Sequence, residues 1–293
     1  MRQEAYFCTV KELDELGKNN IPRQLISHTH LIYSSPATLA FNSPGAEGFG
    51  VKRAGLAVPD SVMLIVSPGC CGRNTSVLSS MRAYQDRFYY LLMDETDIVT
   101  GRHLKKIPKA VAEICEGLKK KPSVVMICIT CVDALLGTDM ERVCHKAEEY
   151  AGVPVRPCYM YALTREGRKP PMVHVRQSVY SLLEPKKKKG NVVNLLGYFS
   201  PLTDDCELYD LLHGAGVKTI HEISRCKDYA QYQTMSEANF NLVLHPEARF
   251  AAEDFHDRLK IPYIELRRLY QIDKIASQYR ALAAALGVEF EDE

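Results

Sequence analysis

Short, wholly apolar runs that stop abruptly at Gly, Pro, Cys or polar clusters alternate along this chain with longer stretches of helical spacing. The run at residues 62–66, Val-Met-Leu-Ile-Val, halts at Ser67-Pro68-Gly69-Cys70-Cys71-Gly72. Such a run predicts a buried strand ending in a turn. Residues 89–93 and 124–130 repeat the pattern, the latter running into Cys131, and a further strand from 153 ends at Pro157-Cys158. Between them, apolar residues at helical spacing predict helices over 74–90 (Val77, Leu78, Met81, Tyr84), 104–118 (Ile107, Val111, Ile114, Leu118), 140–150 and 173–183. The rhythm implies a mostly parallel sheet with right-handed crossovers.

A second series follows Glu184-Pro185 and the lysine run 186–189, which combine a helix stop with a charge run and mark residues 185–190 as a linker. Strands are expected at 192–199, 217–220, 240–244 and 263–266, with Asp204-Asp205 capping the helix that ends near Gly214 and a last helix over 272–286. The expected architecture is therefore α/β, with two Rossmann-like doubly wound domains. It comprises an N-terminal extension at 1–40, a first domain at 41–184, and a smaller second domain at 191–293. No internal sequence repeat identifies the halves as duplicates.

Charge narrows the function classes. Lys and Arg total 37 against 36 Asp and Glu, a net charge of +1, so nothing global points to nucleic acid or an anionic membrane. The lysine runs read as solvated loop edges. No stretch of eighteen apolar residues occurs, and the opening Met1-Arg2-Gln3-Glu4-Ala5 lacks the apolar core of a signal peptide, so a cytoplasmic protein is expected. Ten cysteines in a chain of 293 residues are too scattered for a small secreted disulfide scaffold. In a reducing compartment they read as metal ligands together with buried thiols.

Two strand ends deliver thiols, Cys70 and Cys71 from one and Cys131 from the other. Cys128-Ile129-Thr130-Cys131 also has the spacing of a redox dithiol, but on an extended strand the two thiols face opposite sides, which turns Cys128 into the sheet. A zinc site from Cys70, Cys71, Cys128 and Cys131 would need closer knuckle pairs than adjacent cysteines provide. Cys115 belongs with the core, and Cys8, His28 and His30 lie in the extension. Between the thiol-bearing turns, Glu95 and Asp97 open a helix, where capping and dipole complementation explain an acid.

Three ordered motifs now carry a resemblance: Pro68-Gly69-Cys70-Cys71-Gly72, then Glu95-Thr96-Asp97-Ile98-Val99-Thr100-Gly101, then Ile129-Thr130-Cys131-Val132-Asp133-Ala134-Leu135-Leu136-Gly137-Thr138-Asp139. In this order and spacing they resemble the nitrogenase component 1 family. That family contains molybdenum–iron protein subunits, cofactor-assembly scaffolds, and subunits of dark-operative protochlorophyllide reductase. Segments 240–245 and 261–265 are similar too, so the likeness covers residues 41–287.

The resemblance implies an iron–sulfur cluster, [4Fe-4S] or larger, held at a subunit interface. Cys71 matches the family's second cluster cysteine and Cys131 the third. No cysteine lies between Cys8 and Cys70, so the first is missing, and Cys70 or an oxygen ligand, Glu47 or Ser43, would replace it. His245 matches the position that anchors the large cofactor in α subunits, although a histidine closing a strand end by a local hydrogen bond is the commoner case. Arg165 and Arg168, in the polar loop after the fourth strand, would hold an anionic group or simply face solvent, and Cys226 is a weaker candidate ligand. The implied partners are a like or sister component 1-type subunit and an ATP-dependent Fe-protein-like reductase, since no Gly-x-x-x-x-Gly-Lys-Ser/Thr loop is present here. The implied activity is reduction of an unknown substrate. Assembly of an iron–sulfur or tetrapyrrole cofactor, or a metal-free binding role that keeps the fold, are the alternatives. Family catalytic subunits also carry a third domain, so a full molybdenum–iron cofactor site from this chain alone is not expected.

Overall fold

The apolar runs become strands buried on both faces, as an all-parallel sheet covered by crossover helices requires. A computed structural model describes residues 9–17, 19–20, 50–69, 76–160 and 169–289. Two four-stranded parallel sheets carry the fold, so the α/β class and the doubly wound architecture expected from the sequence are both present. After helices α1 (Val10–Leu16) and α2 (Gly50–Gly55), the first sheet uses β1 (Val62–Ser67), β2 (Phe88–Leu92), β3 (Val125–Ile129) and β4 (Val155–Tyr159), in the order β2-β1-β3-β4.

Every residue of β1 and β3 is buried. On one face, helices α4 (His103–Gly117) and α6 (Met140–Ala151) press Ile107, Val111, Ile114 and Ala147 onto Leu64, Val66, Ile127 and Ile129. Burying each such Leu, Ile or Val side chain is worth about 1.5–3 kcal/mol. The other face carries Met63, Ile65, Met126 and Cys128, covered by α2 and by α7 (Pro171–Tyr180).

Short helices follow two of the strands: α3 (Glu95–Thr100) after β2 and α5 (Cys131–Leu135) after β3. The second sheet, β5 (Val192–Leu196), β6 (Thr219–His221), β7 (Phe240–Val243) and β8 (Tyr263–Glu265), has the order β6-β5-β7-β8. Its strands thus repeat the first sheet's second-first-third-fourth arrangement. Helices α8 (Glu207–Gly214) and α10 (Ile272–Leu286) bring Leu208, Leu212 and Leu282 onto Val193, Leu195 and Leu242. Helix α9 (Arg249–Leu259) packs its Phe255 ring against Tyr180 of α7, centroids 5.3 Å apart, and Arg258 donates to the Tyr180 carbonyl. One apolar core therefore runs continuously from the first sheet to the second.

Three local expectations are corrected. The helix expected over 74–90 is only a turn at Ser76–Ser79 and a 3-10 turn at Arg82–Tyr84. Asp86 takes a positive φ of 60°, which ends helical winding, and the Arg87 guanidinium is drawn to the carbonyls of Leu56, Val58 and Ser61. Cys206, not the Asp204-Asp205 pair, precedes α8, because Asp204 is engaged by Arg225 at 2.7 Å. The lysine run 186–189 is not merely solvated. Lys188 donates to the Ser236 carbonyl at 2.7 Å, with burial pulling its pKa down, while Lys186 and Lys189 pair with Glu237. No helix among the described residues is long and apolar enough to cross a membrane.

Candidate functional site

In the order β2-β1-β3-β4 the chain leaves β1 toward one side and returns to the other, so β1 and β3 flank the switch point of the sheet. Doubly wound sheets open a crevice there, outside the carboxyl ends of the strands. The two strands are paired as far as Val66↔Ile129. Ser67 closes β1, and Thr130 leaves β3 directly into the helix that Cys131 opens. Cys131 is the first residue of α5 and comes two positions after the last pair of β3 with β1, the strand that leads toward Cys70 and Cys71. Cys70 and Cys71 themselves lie outside the described residues, as do Glu47, Ser43, Arg165, Arg168, Cys8, His28 and His30.

The floor of this crevice is polar and buried. The Ser67 and Thr130 hydroxyls and Oδ2 of Asp133 have no hydrogen-bond partner among the described residues. Asp133 is fully buried in α5, and its Oδ1 accepts from His103 Nε2 at 2.9 Å and from Thr138 Oγ1 at 3.1 Å. His103 Nδ1 in turn faces the Asp97 carbonyl at 3.0 Å. The ring thereby ties α3 to α5 at the start of which Cys131 stands. Sequence inspection missed this pair, since nothing in either segment marks residues thirty positions apart as partners.

Asp97 closes a capping box on α3, its side chain accepting from the Asp94 N–H while Asp94 accepts from Asp97 N. Hydrogen bonds from Lys106 and Arg102, both at 2.7 Å, hold its carboxyl well below the usual carboxylate range. The capping expected for this acid is what it does. Among the described residues no three His, Cys, Asp or Glu side chains come together to hold a metal ion.

Cys128 is wholly buried and in register with Cys158 of β4. Burial pushes its thiol up to about 11, so it stays protonated and does not serve as half of a redox dithiol. Cys144 and Cys158 are buried likewise, with their pKa values also raised by burial, and Cys115 lies half-buried against the core. Cys226, pushed to about 11, donates its S–H to the Glu222 carbonyl.

The second sheet has its own switch point, between β5 and β7. Gly197 follows β5 with φ of 135°, and a Cβ there would lie 2.7 Å from the His245 nitrogen, so glycine is required for the two loops to touch. His245 follows β7. Its Nδ1 accepts from the Glu247 N–H at 3.3 Å, and its ring meets Tyr198 edge-on at 5.8 Å. Buried Arg176 of α7 reaches over from the first sheet, donating to the Gly197 carbonyl and to Glu247 while stacking on Phe199. That arginine sits on the buried side of a helix, a signal the sequence offered and its apolar periodicity obscured.

This fold matches solved structures described as nitrogenase Cp1. One at pH 6.5 aligns with a TM-score of 0.61 at 18% identity, covering 83% of this chain and 57% of that one. Another at pH 5 gives 0.58 at 21%, covering 82% and 50%. Curated relatives include the nitrogenase iron-molybdenum cofactor biosynthesis protein NifE of Nostoc sp., 27% identical over 239 residues, or 78% of this chain and 49% of the relative. NifE of Klebsiella pneumoniae is 27% identical over 266 residues, 83% and 58%. The chain thus spans about half the length of the curated relatives it matches. The family model for nitrogenase component 1 type oxidoreductases matches residues 47–293, most of the sequence, and the chain belongs to that family.

Proposed function

We propose that this chain is a component 1-type subunit that holds an iron–sulfur cluster through Cys131 together with Cys70 or Cys71, at a boundary with a like or sister subunit. The observation that supports it most is the meeting of the β1 and β3 ends at the switch point, where segments sixty residues apart in sequence converge on one crevice. A cluster of this kind needs about four protein ligands. Two or three thiolates from this chain leave it incomplete, which is the reason for a second subunit. Cys70, or an oxygen of Glu47 or Ser43, stands in for the missing first cysteine, with His245 as a contact for a larger group at the second crevice and Arg165, in the loop after β4, as a contact for an anionic group.

The donor set suits such a group: the sequence puts cysteines at two neighbouring strand ends, one pair flanked by glycine. When bound, the cluster supplies one-electron chemistry. This chain's own part is to ligate it, exclude water, and set its potential by hydrogen bonding and burial. The curated relatives are cofactor biosynthesis proteins, which favours a scaffold that holds a cluster, or its precursor, and hands it on. A second reading, electron acceptance from an ATP-dependent Fe-protein-like reductase, is favoured by the family's description as oxidoreductases.

Anaerobic purification, reconstitution with iron and sulfide, and incubation with an iron-free acceptor separate these readings. Release of the cluster to the acceptor without reductase-driven turnover supports the scaffold. ATP-dependent reduction of the bound cluster supports the electron carrier. A colourless, iron-free protein after reconstitution rules out both and leaves a metal-free binding protein on the same fold.

A further inference from the structure

The helix that Cys131 opens has little of its own to hold it in place. α5 spans five residues, and a helix that short does not support itself. Apolar burial anchors it only through half-buried Val132, since Leu135 is 70% exposed and Leu136, just beyond it, 48%. Among the side chains described on α5, that of Asp133 alone is fully buried.

The anchor is therefore polar, and it reaches two ways. Within its own segment, Asp133 accepts the Thr138 backbone N–H on its carbonyl at 3.1 Å and the Thr138 hydroxyl on Oδ1 at 3.1 Å, which closes the chain behind the helix. Outside it, Oδ1 stands 2.9 Å from His103 Nε2. His103 opens α4, whose Ile107, Val111 and Ile114 are packed on the first sheet. The other ring nitrogen lies 3.0 Å from the Asp97 carbonyl, and the Asp97 carboxylate is itself pinned by Lys106 and Arg102, both at 2.7 Å. The firm end of the link is α4, so the pair places α5 rather than the reverse.

We infer that His103 and Asp133 are positioning residues for the proposed cluster site, fixing the place and rotation of the helix that Cys131 opens. The inference rests on the reading of Cys131 as a ligand. Groups that hold a metal ligand's support in place orient it, and losing them costs about 10–100-fold in metal affinity. Two leucines in the same space would fill it without fixing a direction. Fold stability and cluster retention therefore part in such a variant, the first largely kept and the second lost.

The rate of iron loss to a chelator from the anaerobically reconstituted full chain, read beside its electron paramagnetic resonance spectrum, tests the assignment. The His103→Leu/Asp133→Leu variant is expected to lose iron about tenfold faster than wild type or more, with a shifted spectrum. His103→Gln, whose amide nitrogen takes the place of Nε2, is expected to stay close to wild type. His103→Asn reproduces Nδ1 but is too short to reach Asp133, and it is expected to behave like the double variant. If the double variant does not fold, the Asn and Gln variants decide, their melting curves confirming an intact fold. Rates and spectra equal to wild type in a folded double or Asn variant overturn the positioning role and leave the cluster reading standing. A wild type that holds no iron overturns the cluster reading instead, and hydrogen exchange of the iron-free chain then decides the hold on α5: faster exchange at residues 132–138 in the Asn than in the Gln variant supports it, and equal exchange overturns it.

Discussion

His103 Nε2 stands 2.9 Å from Asp133 Oδ1, with both side chains sealed from solvent. The other ring nitrogen faces the Asp97 carbonyl, so polar partners lie on both sides of the imidazole. This pair links the helix that Cys131 opens to the turn carrying Asp97, and it governs how rigidly one thiol-bearing segment is held.

Replacing His103 by leucine leaves a buried carboxylate with only Thr138 as donor. A loss of roughly 3 kcal/mol is expected in urea unfolding. The His103→Leu/Asp133→Leu double variant is expected to regain more than half of it, since no unpaired charge remains. A double variant that sums the two single losses contradicts this account of the pair.

Acid sensitivity follows from two groups with different windows. Asp97 is held below the ordinary carboxylate value by Lys106 and Arg102, so the stability it contributes is present above about pH 4 and drains as pH falls below that. His174 is pushed down to about 4 by burial and by Lys169, so it loses stability earlier, as pH falls from about 6.5, where the unfolded chain takes up its proton first. Melting temperatures from pH 7 to 3 should show the difference between wild type and Asp97→Asn flat down to about pH 5 and shrinking only below about 4. The difference between wild type and His174→Phe should change between about 6.5 and 4.

Gly197→Ala forces a methyl group into the His245 backbone and demands an unfavourable φ, at a cost of about 2 kcal/mol or more. Gly117→Ala, in the last turn of α4 with open space at its Cβ, is expected to be neutral or stabilising by up to about 1 kcal/mol. Thermal denaturation of the two variants side by side reads the contrast directly.

Buried Cys128, with its thiol near 11, should resist alkylation in the native protein at pH 8 and react only on unfolding. Peptide mapping after iodoacetamide checks this. Rapid native labelling at Cys128 would restore the dithiol reading of the Cys128 to Cys131 spacing.

The strands were legible because each is an unbroken apolar run closed by turn residues, and the thiol at position 131 was legible because it stops one of those runs. What the chain does over long range was not. The matching strand orders of the two sheets arise from pairing, which leaves no periodic trace, and so the halves share topology without a recognisable repeat. The helix expected over 74–90 failed because its spacing is real but Asp86 and Arg87 serve the neighbouring loop instead. His103 and Asp133 read as ordinary helix residues until the fold sets them face to face.

The most direct measurement is electron paramagnetic resonance of the anaerobically reconstituted, dithionite-reduced protein, wild type beside Cys131→Ala, with iron counted in both. A cluster signal in wild type that is lost or altered in the variant, with iron per chain falling in step, is the predicted result. Equal iron and an identical spectrum in the two proteins would mean that the β3 strand end ligates nothing, and the shared-cluster account would fall.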